Sequence, residues 1–340
     1  MRTPWPPALH GGPLAHQDVC VTGALGFIGT HLCQALAARG ARVRCVDRSA
    51  GDHAGARRAR GLLTGLPNVS VLRADVGRDV LDDALDGARA VIHLAALPGV
   101  RAGHDPVELW RENTLTTALL AQETARRGQR LVLVSTSSVY GQASVLPTDE
   151  RAPPAPLSPY AVSKLAAEQV CLGAVAREGA DVVIARLFTV FGERQRPDMA
   201  FARWIDAILA GRPIPWCARG GAARDFTYVG DAVAGLIAAM QFGRPGQIYN
   251  IAGAGSTPLR QALHVLERLL RRSAGVNRAP PFRGEALITS ACGKKAAREL
   301  GYRPAYSLEE GLERQASWAL AQYAEPAGGP AEREPLAAAT

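Results

Sequence analysis

The feature that most narrows the fold is Thr22-Gly23-Ala24-Leu25-Gly26-Phe27-Ile28-Gly29, in which three glycines recur at intervals of three. It follows a short apolar stretch, Asp18–Thr22, and opens a segment with helical patterning, Phe27–Ala38. In that setting each glycine has its own task. Gly23 permits the tight turn, Gly26 lets the backbone approach a pyrophosphate, and Gly29 lets the helix pack closely on the strand. The helix start then turns unpaired N–H groups and a positive dipole end toward the anion. Spacing alone is weak evidence in a chain with 35 glycines among 340 residues. The order strand, glycines, helix, second strand, acid is what carries it.

That acid is Asp47, at the end of a second apolar stretch, Ala41–Val46. A carboxylate there accepts hydrogen bonds from adenosine ribose hydroxyls and repels a 2′-phosphate, which favours NAD over NADP. Arg48 works the other way, since an arginine at this place can receive that phosphate. Asp75, after a third strand, is placed to meet the adenine edge or, equally, to cap the turn that follows.

Short apolar runs alternate with longer helical patterns through the first half of the chain. Strands are expected at Val69–Ala74, Ala90–Leu94, Leu131–Ser135 and Asp181–Leu187, with helices at Pro106–Arg127 and Tyr160–Glu178. This pattern predicts an α/β fold: a Rossmann-type, doubly wound parallel sheet with ligands beyond the C-terminal ends of the strands. After Thr189 the chain turns rich in Arg, Pro and Gly, with a helix at Met199–Ala210. Phe226–Met240 and Gln247–Ile251 read as a return to the sheet, and amphipathic helices follow at Leu259–Arg272 and Leu308–Tyr323. We therefore expect a dinucleotide-binding domain over 18–188, rejoined by 226–258. A smaller interleaved C-terminal lobe for substrate takes 189–225 and 259–324, and disordered tails lie at 1–17 and 325–340.

Composition removes several classes of function. No run of 18 apolar residues exists, so a membrane-spanning helix is excluded. The first residues have prolines but no apolar core of signal-peptide type, and the expected location is the cytoplasm. The net charge of +8 is carried by 36 arginines and 3 lysines scattered over solvated faces such as Arg57, Arg58 and Arg60. With no recognisable binding module, a nucleic-acid partner is not expected. The six cysteines lack paired spacing, so neither a disulfide framework nor a metal site is expected.

Tyr160-Ala161-Val162-Ser163-Lys164 puts a phenol and an amine one helical turn apart on one face. A free tyrosine has a pKa near 10, so making it a base near neutrality takes roughly 4 kcal/mol of differential stabilisation. A neighbouring ammonium and an oxidised nicotinamide ring, both cationic, can supply it. The phenolate can then take a proton from a sugar hydroxyl as hydride leaves the same carbon. Thr136, at the end of the strand Leu131–Ser135, stands where a hydroxyl relays the proton or orients the substrate.

With these residues in view, the chain resembles the extended short-chain dehydrogenase/reductase family of nucleotide-sugar epimerases and dehydratases, and within it UDP-glucuronate 4-epimerases. The resemblance runs from Val19 to Tyr323. It rests on TGALGFIG, HLAALPGVR (His93–Arg101), STSSVYG (Ser135–Gly141), SPYAVSK (Ser158–Lys164), RLFTVFGERQRPDMAF (Arg186–Phe201) and RDFTYVGD (Arg224–Asp231). It implies that Thr136, Tyr160 and Lys164 are the catalytic triad and that NAD is tightly held. Dinucleotide contacts are expected from Gly23, Gly26, Phe27, Ile28, Gly29, Asp47, Arg48, Asp75, Val76, Leu94, Ala95, Ala96, Asn113, Tyr160 and Lys164. It also implies a homodimer that pairs the helices near Pro106–Arg127 and Tyr160–Glu178.

The acidic pair that family dehydratases carry after the threonine is replaced here by Ser137 and Ser138. Neither hydroxyl is a competent acid or base near neutral pH, which disfavours elimination. Related decarboxylases carry a glutamate at the place of Ser138, so loss of CO₂ is disfavoured too. What is left is reversible oxidation at C4 of a UDP-sugar. A glucuronate C6 carboxylate would be met by Thr136, Ser137, Ser138 and either Arg194 or Arg196, between which spacing does not decide. Arg224 resembles the family's pyrophosphate clamp, and Thr189 lies where members contact the same tether. Arg283 resembles a second phosphate ligand, though its register departs by one residue. Phe201 and Trp216 are open to two readings, flanking a uracil or packing the core. A UDP-glucose/UDP-galactose 4-epimerase would share every catalytic residue, and a non-catalytic NAD-binding regulator is the alternative from another class.

Overall fold

The computed structural model describes residues 14–49, 53–79, 82–99, 103–218, 220–281 and 284–324. Its centre is a sheet of seven strands: β1 (Asp18–Thr22), β2 (Arg42–Asp47), β3 (Val69–Arg73), β4 (Ala90–His93), β5 (Arg130–Thr136), β6 (Val182–Leu187) and β7 (Ile248–Ile251). Their spatial order is β7-β6-β5-β4-β1-β2-β3, and every neighbouring pair is parallel. Strands β4 and β6 are buried along their whole length, as a sheet covered on both faces requires. Successive strands run outward from β1 in one direction and from β4 in the other. The crevice between them is therefore the topological switch point, where this architecture binds its ligands.

The covering helices are α1 (Phe27–Ala38), α2 (Ala54–Thr64), α3 (Thr116–Arg126), α4 (Pro159–Glu178), α5 (Ala200–Leu209), α6 (Val229–Phe242), α7 (Leu259–Leu270), α8 (Lys294–Leu300) and α9 (Leu308–Ala324). Helix α4 begins where its sequence dictates. Ser158 Oγ accepts the Ala161 N–H at 3.2 Å, Pro159 occupies the first helical position, and Gly179 ends the helix in the left-handed region with φ 66°.

The segment 189–225 carries short paired strands. Ile214–Trp216 runs parallel to Val276–Arg278, and Ala223–Asp225 runs antiparallel to Ser256–Pro258. Phe191, Phe201 and Trp204 from this segment, with Phe226 just after it, share one continuous apolar core with α1, α6 and the sheet.

Three expectations are corrected. Leu14 is fully buried and its N–H bonds the Arg39 carbonyl at 3.1 Å, so order begins before Asp18; the rest of the expected N-terminal tail, and all of 325–340, lie outside the described residues. Phe226–Met240 is not a strand: after a two-residue strand at Thr227–Tyr228 it forms α6, apolar on every side because it lies inside the core. A short apolar run has no periodicity that distinguishes a buried helix from a buried strand. Finally, the helix expected over Pro106–Arg127 is interrupted by a π-turn at Trp110–Leu115, a local widening that often marks functional regions.

Candidate active site

The glycine turn closes as its sequence requires. Gly26 N–H bonds the Gly23 carbonyl at 3.1 Å, and Gly23 has φ +69°. A Cβ on Gly23 would stand 2.7 Å from the Ala95 nitrogen, and one on Gly29 would stand 2.2 Å from the Gly23 oxygen. No side chain caps α1 at Gly26, so its first-turn N–H groups, Phe27 and Ile28 among them, have no capping side chain to compete with an anion. Leu94, Ala95 and Ala96 form the partly exposed lip beside the turn. The Ala95 N–H is itself held by Thr22 Oγ1 at 3.3 Å.

Asp47 sits at the end of β2 with its carboxylate anchored by Leu25 N–H at 3.0 Å and Ser49 N–H at 2.9 Å. Arg48 donates to Glu112 at 2.6 Å, an engagement that competes with any 2′-phosphate. Asp75 Oδ1 accepts Gly77 N–H at 3.0 Å, the turn-forming alternative, and Val76 is buried in the core beneath it. Asn113 is fully buried: it accepts Leu97 N–H at 2.7 Å and donates to Leu97 O at 3.1 Å and Ser163 Oγ at 3.0 Å. It thus locks the chain beyond β4 to α4. An uncapped helix start, a turn with no room for a Cβ, and an acid at the second strand end together fit NAD.

On the far side of the crevice, Thr136 at the end of β5 lies close enough to Tyr160, on the first turn of α4, to favour its ionised form. Thr136 Oγ1 also lies 3.1 Å from Ser138 Oγ and accepts Ser138 N–H at 3.1 Å. Ser137 is buried beside them. Burial pushes the Tyr160 phenol above its ordinary range, offset in part by the Arg196 charge and the Thr136 bond. The acidifying charge from the protein is thus Arg196 rather than the expected Lys164. Lys164, one turn on, is 4% exposed. Burial pulls its ammonium down to about 8, against the attraction of Glu168 and the smaller effect of Cys171.

The structure separates the two candidate arginines. Arg196 acts on the phenol and pairs with Asp198 at 2.7 Å, whereas Arg194 turns away to Gln34 of α1 at 3.3 Å. Arg224 and Thr189 line a cavity with Arg203, Trp204, Trp216 and Glu285. Arg224 is fixed there by the Leu287 carbonyl at 3.0 Å and by Glu285 at 3.1 Å. Trp216 lies on this wall, stacked on Trp204 at 5.6 Å. Phe201 does not reach the cavity, being 1% exposed inside an aromatic cluster with Phe191 and Phe226. Arg283 lies outside the described residues.

Residues that sequence reasoning passed over are also present: Arg203 on the cavity wall, His93 at the end of β4, and Glu168 beneath Lys164. Glu168 was legible as a carboxylate at i+4 from the lysine on an otherwise apolar helix face. Among the described residues, no group of acidic, histidine or cysteine side chains is placed to hold a metal ion. Nor is any helix long and apolar enough to cross a membrane. All six cysteines are free.

A parallel sheet with a glycine turn at its switch point, facing a Tyr-x-x-x-Lys helix, defines a dinucleotide-dependent enzyme that acts on a carbinol carbon. Residues 19–252 match the NAD dependent epimerase/dehydratase family. A Bacillus subtilis (strain 168) protein named "Uncharacterized UDP-glucose epimerase YtcB" is 34% identical over 314 residues, covering 90% of this chain and 98% of that protein. UDP-glucuronate 4-epimerase 5 of Arabidopsis thaliana is 33% identical, covering 93% and 78% respectively. The crystal structure of UDP-glucuronic acid 4-epimerase from Bacillus cereus, in complex with UDP-glucuronic acid and NAD, superposes with a TM-score of 0.85 at 35% identity, covering 90% of this chain and all of that one. The chain belongs to the NAD dependent epimerase/dehydratase family.

Proposed function

We propose that this chain interconverts UDP-glucuronate and UDP-galacturonate by NAD-dependent epimerisation at C4. The observation that carries the reading is the charge of Arg196 beside the Tyr160 phenol, next to the hydroxyls of Thr136, Ser137 and Ser138. This gives a C6 carboxylate a charge-assisted partner at the reacting end of the sugar. It also lacks the acids that elimination would need. The relatives named for UDP-glucuronate support the same substrate.

In this mechanism Arg224, fixed by Glu285 and the Leu287 carbonyl, grips the diphosphate, and Trp216 and Arg203 border the nucleoside. Tyr160 takes the proton of the C4 hydroxyl, with Thr136 beside its oxygen, Arg196 supplying positive charge and the Lys164 ammonium one helical turn on. NAD, when bound, supplies reversible two-electron oxidation of that carbon and, in its oxidised form, a second cationic group near the phenol. The 4-keto sugar turns about its diphosphate tether, and Tyr160 returns the proton on the opposite face.

A homodimer belongs to the same reading. Val107, Trp110, Leu115 and Leu119, together with Val162 and Val170 of α4, are exposed large apolar side chains on the two helical segments expected to pair, and such a patch seeks a partner. A second copy of this chain, presenting the same helices about a two-fold axis, would cover it. A cytoplasmic location and the division into a dinucleotide domain and a sugar-nucleotide lobe complete the proposal.

The test is incubation with UDP-glucuronate and with UDP-glucose separately, resolving the product sugars by chromatography. Conversion of the uronate alone is expected. Conversion of UDP-glucose, in keeping with the name of the Bacillus subtilis relative, would favour the neutral-hexose reading. Conversion of neither would favour the regulator.

A further inference from the structure

Beneath the catalytic pair lies a charged group that the mechanism above does not use. Glu168 is on α4, one turn beyond Lys164, and is fully buried. Its carboxylate accepts two hydrogen bonds from Arg186 of β6, at 3.0 and 2.6 Å, and a third from Ser135 of β5. Arg186 is itself 2% exposed, stacks on the Tyr140 ring at 4.6 Å, and leaves Nη1 without an acceptor. Tyr140 is held in turn by Asn250 at 2.8 Å. Two cations and one carboxylate, Lys164, Arg186 and Glu168, are thus enclosed together in the interior behind the first turns of α4.

A charge in so dry a place is kept only if opposite charge is near. Glu168 is held rigidly by Arg186 and Ser135 and is closed off from bulk solvent. The other groups around Lys164 do not supply a fixed anion. Tyr160 and Cys171 on its own helix are weak acids, His93 of β4 is neutral at working pH, and Arg186 is a cation. Strand β5 and the helical segment over 110–126 meet this face with Ser135, Asn113 and Thr114, none of which ionises.

We propose that Glu168 is a positioning residue for the reaction, and that its Arg186- and Ser135-held carboxylate keeps the Lys164 ammonium charged under the phenol. The inference rests on reading Tyr160 and Lys164 as the catalytic pair. Glu168 touches neither substrate nor cofactor, and it acts on the proton of Lys164 through space.

The chain has 3 lysines, Lys164, Lys294 and Lys295, so lysines labelled with ¹³C at Cε can be followed individually by NMR in the NAD-loaded protein. The signal missing from Lys164→Met assigns the residue. Glu168→Gln is expected to move the Lys164 midpoint from about 8 to about 7 or below, and to bring the alkaline limb of the kcat profile down with it. Glu168→Asp, which keeps the charge, restores both. Should Glu168→Gln fail to fold with Arg186 unpaired, Glu168→Gln/Arg186→Met is compared with Arg186→Met, so that the loss of the arginine charge is common to both and the same downward shift is expected between them. An unchanged Lys164 midpoint in a folded variant, with Lys164→Met inactive, overturns the proposal alone. Full activity of Lys164→Met overturns the catalytic reading and the proposal with it.

Discussion

His93 and Thr22 are joined by a 2.7 Å hydrogen bond between Nδ1 and Oγ1, at paired positions on the C-terminal ends of β4 and β1. Its direction follows from its neighbours. Thr117 Oγ1 donates to the Asn113 carbonyl at 2.6 Å, so at 3.2 Å it accepts from His93 Nε2–H. Nδ1 is then bare and accepts the Thr22 hydroxyl, whose oxygen takes the Ala95 N–H. A neutral imidazole thus ties the glycine turn to its lip and to the helix behind it.

The same burial makes His93 a source of acid sensitivity. Desolvation and, secondarily, the Lys164 charge pull its pKa to about 3. The unfolded chain therefore binds one more proton than the folded one between pH 6.5 and about 3. Stability is lost as pH falls through that window, by about 1.4 kcal/mol per pH unit from this group. His93→Gln, which keeps one donor and one acceptor but cannot ionise, should flatten the fall. Subtracting the Tm–pH curves of variant and wild type isolates the effect from that of His31, whose pKa is drawn to about 4 mainly by burial. Parallel curves would refute the assignment.

Lys164 illustrates stability given up for chemistry. Its pKa falls to about 8 from 10.5, chiefly through desolvation. The unfolded state therefore binds more protons between those values, and wild-type stability rises with pH across them. Below pH 8 the buried ammonium is a net cost, on the order of 1–3 kcal/mol after the attraction of Glu168. Lys164→Met should accordingly raise Tm near neutral pH while abolishing epimerisation. Thermal melts at pH 7 and pH 10 check both the sign and its disappearance, and a variant less stable than wild type at pH 7 would contradict it.

The proposed reading gives the C6 carboxylate to Arg196. Loss of one charge-assisted pair to a carboxylate removes about 1.5–3 kcal/mol of binding, or roughly 10- to 150-fold. Arg196→Ala should lose that much in kcat/KM for UDP-glucuronate, and far less for any residual turnover of UDP-glucose. Arg194→Ala, whose side chain bonds Gln34 of α1, should change the ratio little. Steady-state kinetics on both sugars decides it, and the reverse order would reassign the carboxylate to Arg194.

Much of this arrangement could be read from local chemistry. The helix Phe27–Ala38 has the bounds that its glycines and apolar spacing predicted, and the helix expected from Tyr160 begins one residue earlier, at Pro159. Such signals lie within a few residues of the structure they specify. What was not legible depends on residues far apart in sequence. Helix α6 looks like a strand because the core that buries all its sides is supplied by α1, β5 and β6. The choice between Arg194 and Arg196 turns on the chain's path after Gly192, where Arg194 takes a positive φ of 61°. Asn113 and His93 carry no local pattern at all, since their partners lie up to 71 residues away.

The exposed apolar side chains on the paired helices lead to the last prediction. Trp110 is 47% exposed and Leu119 43%, although both are of types that fold inward when no partner is present. Trp110 belongs to the π-turn whose Asn113 bonds Ser163 on the catalytic helix, so a partner pressing on this face would bear on the same segment that positions Tyr160. Trp110→Glu/Leu119→Glu puts two carboxylates into that face and should convert a dimer to a monomer in sedimentation velocity. Because the π-turn carries Asn113, which bonds Leu97 and α4, and α4 carries the phenol, the monomer should also lose kcat by tenfold or more while its far-UV spectrum is unchanged. A variant that sediments as wild type would show that the partner docks elsewhere.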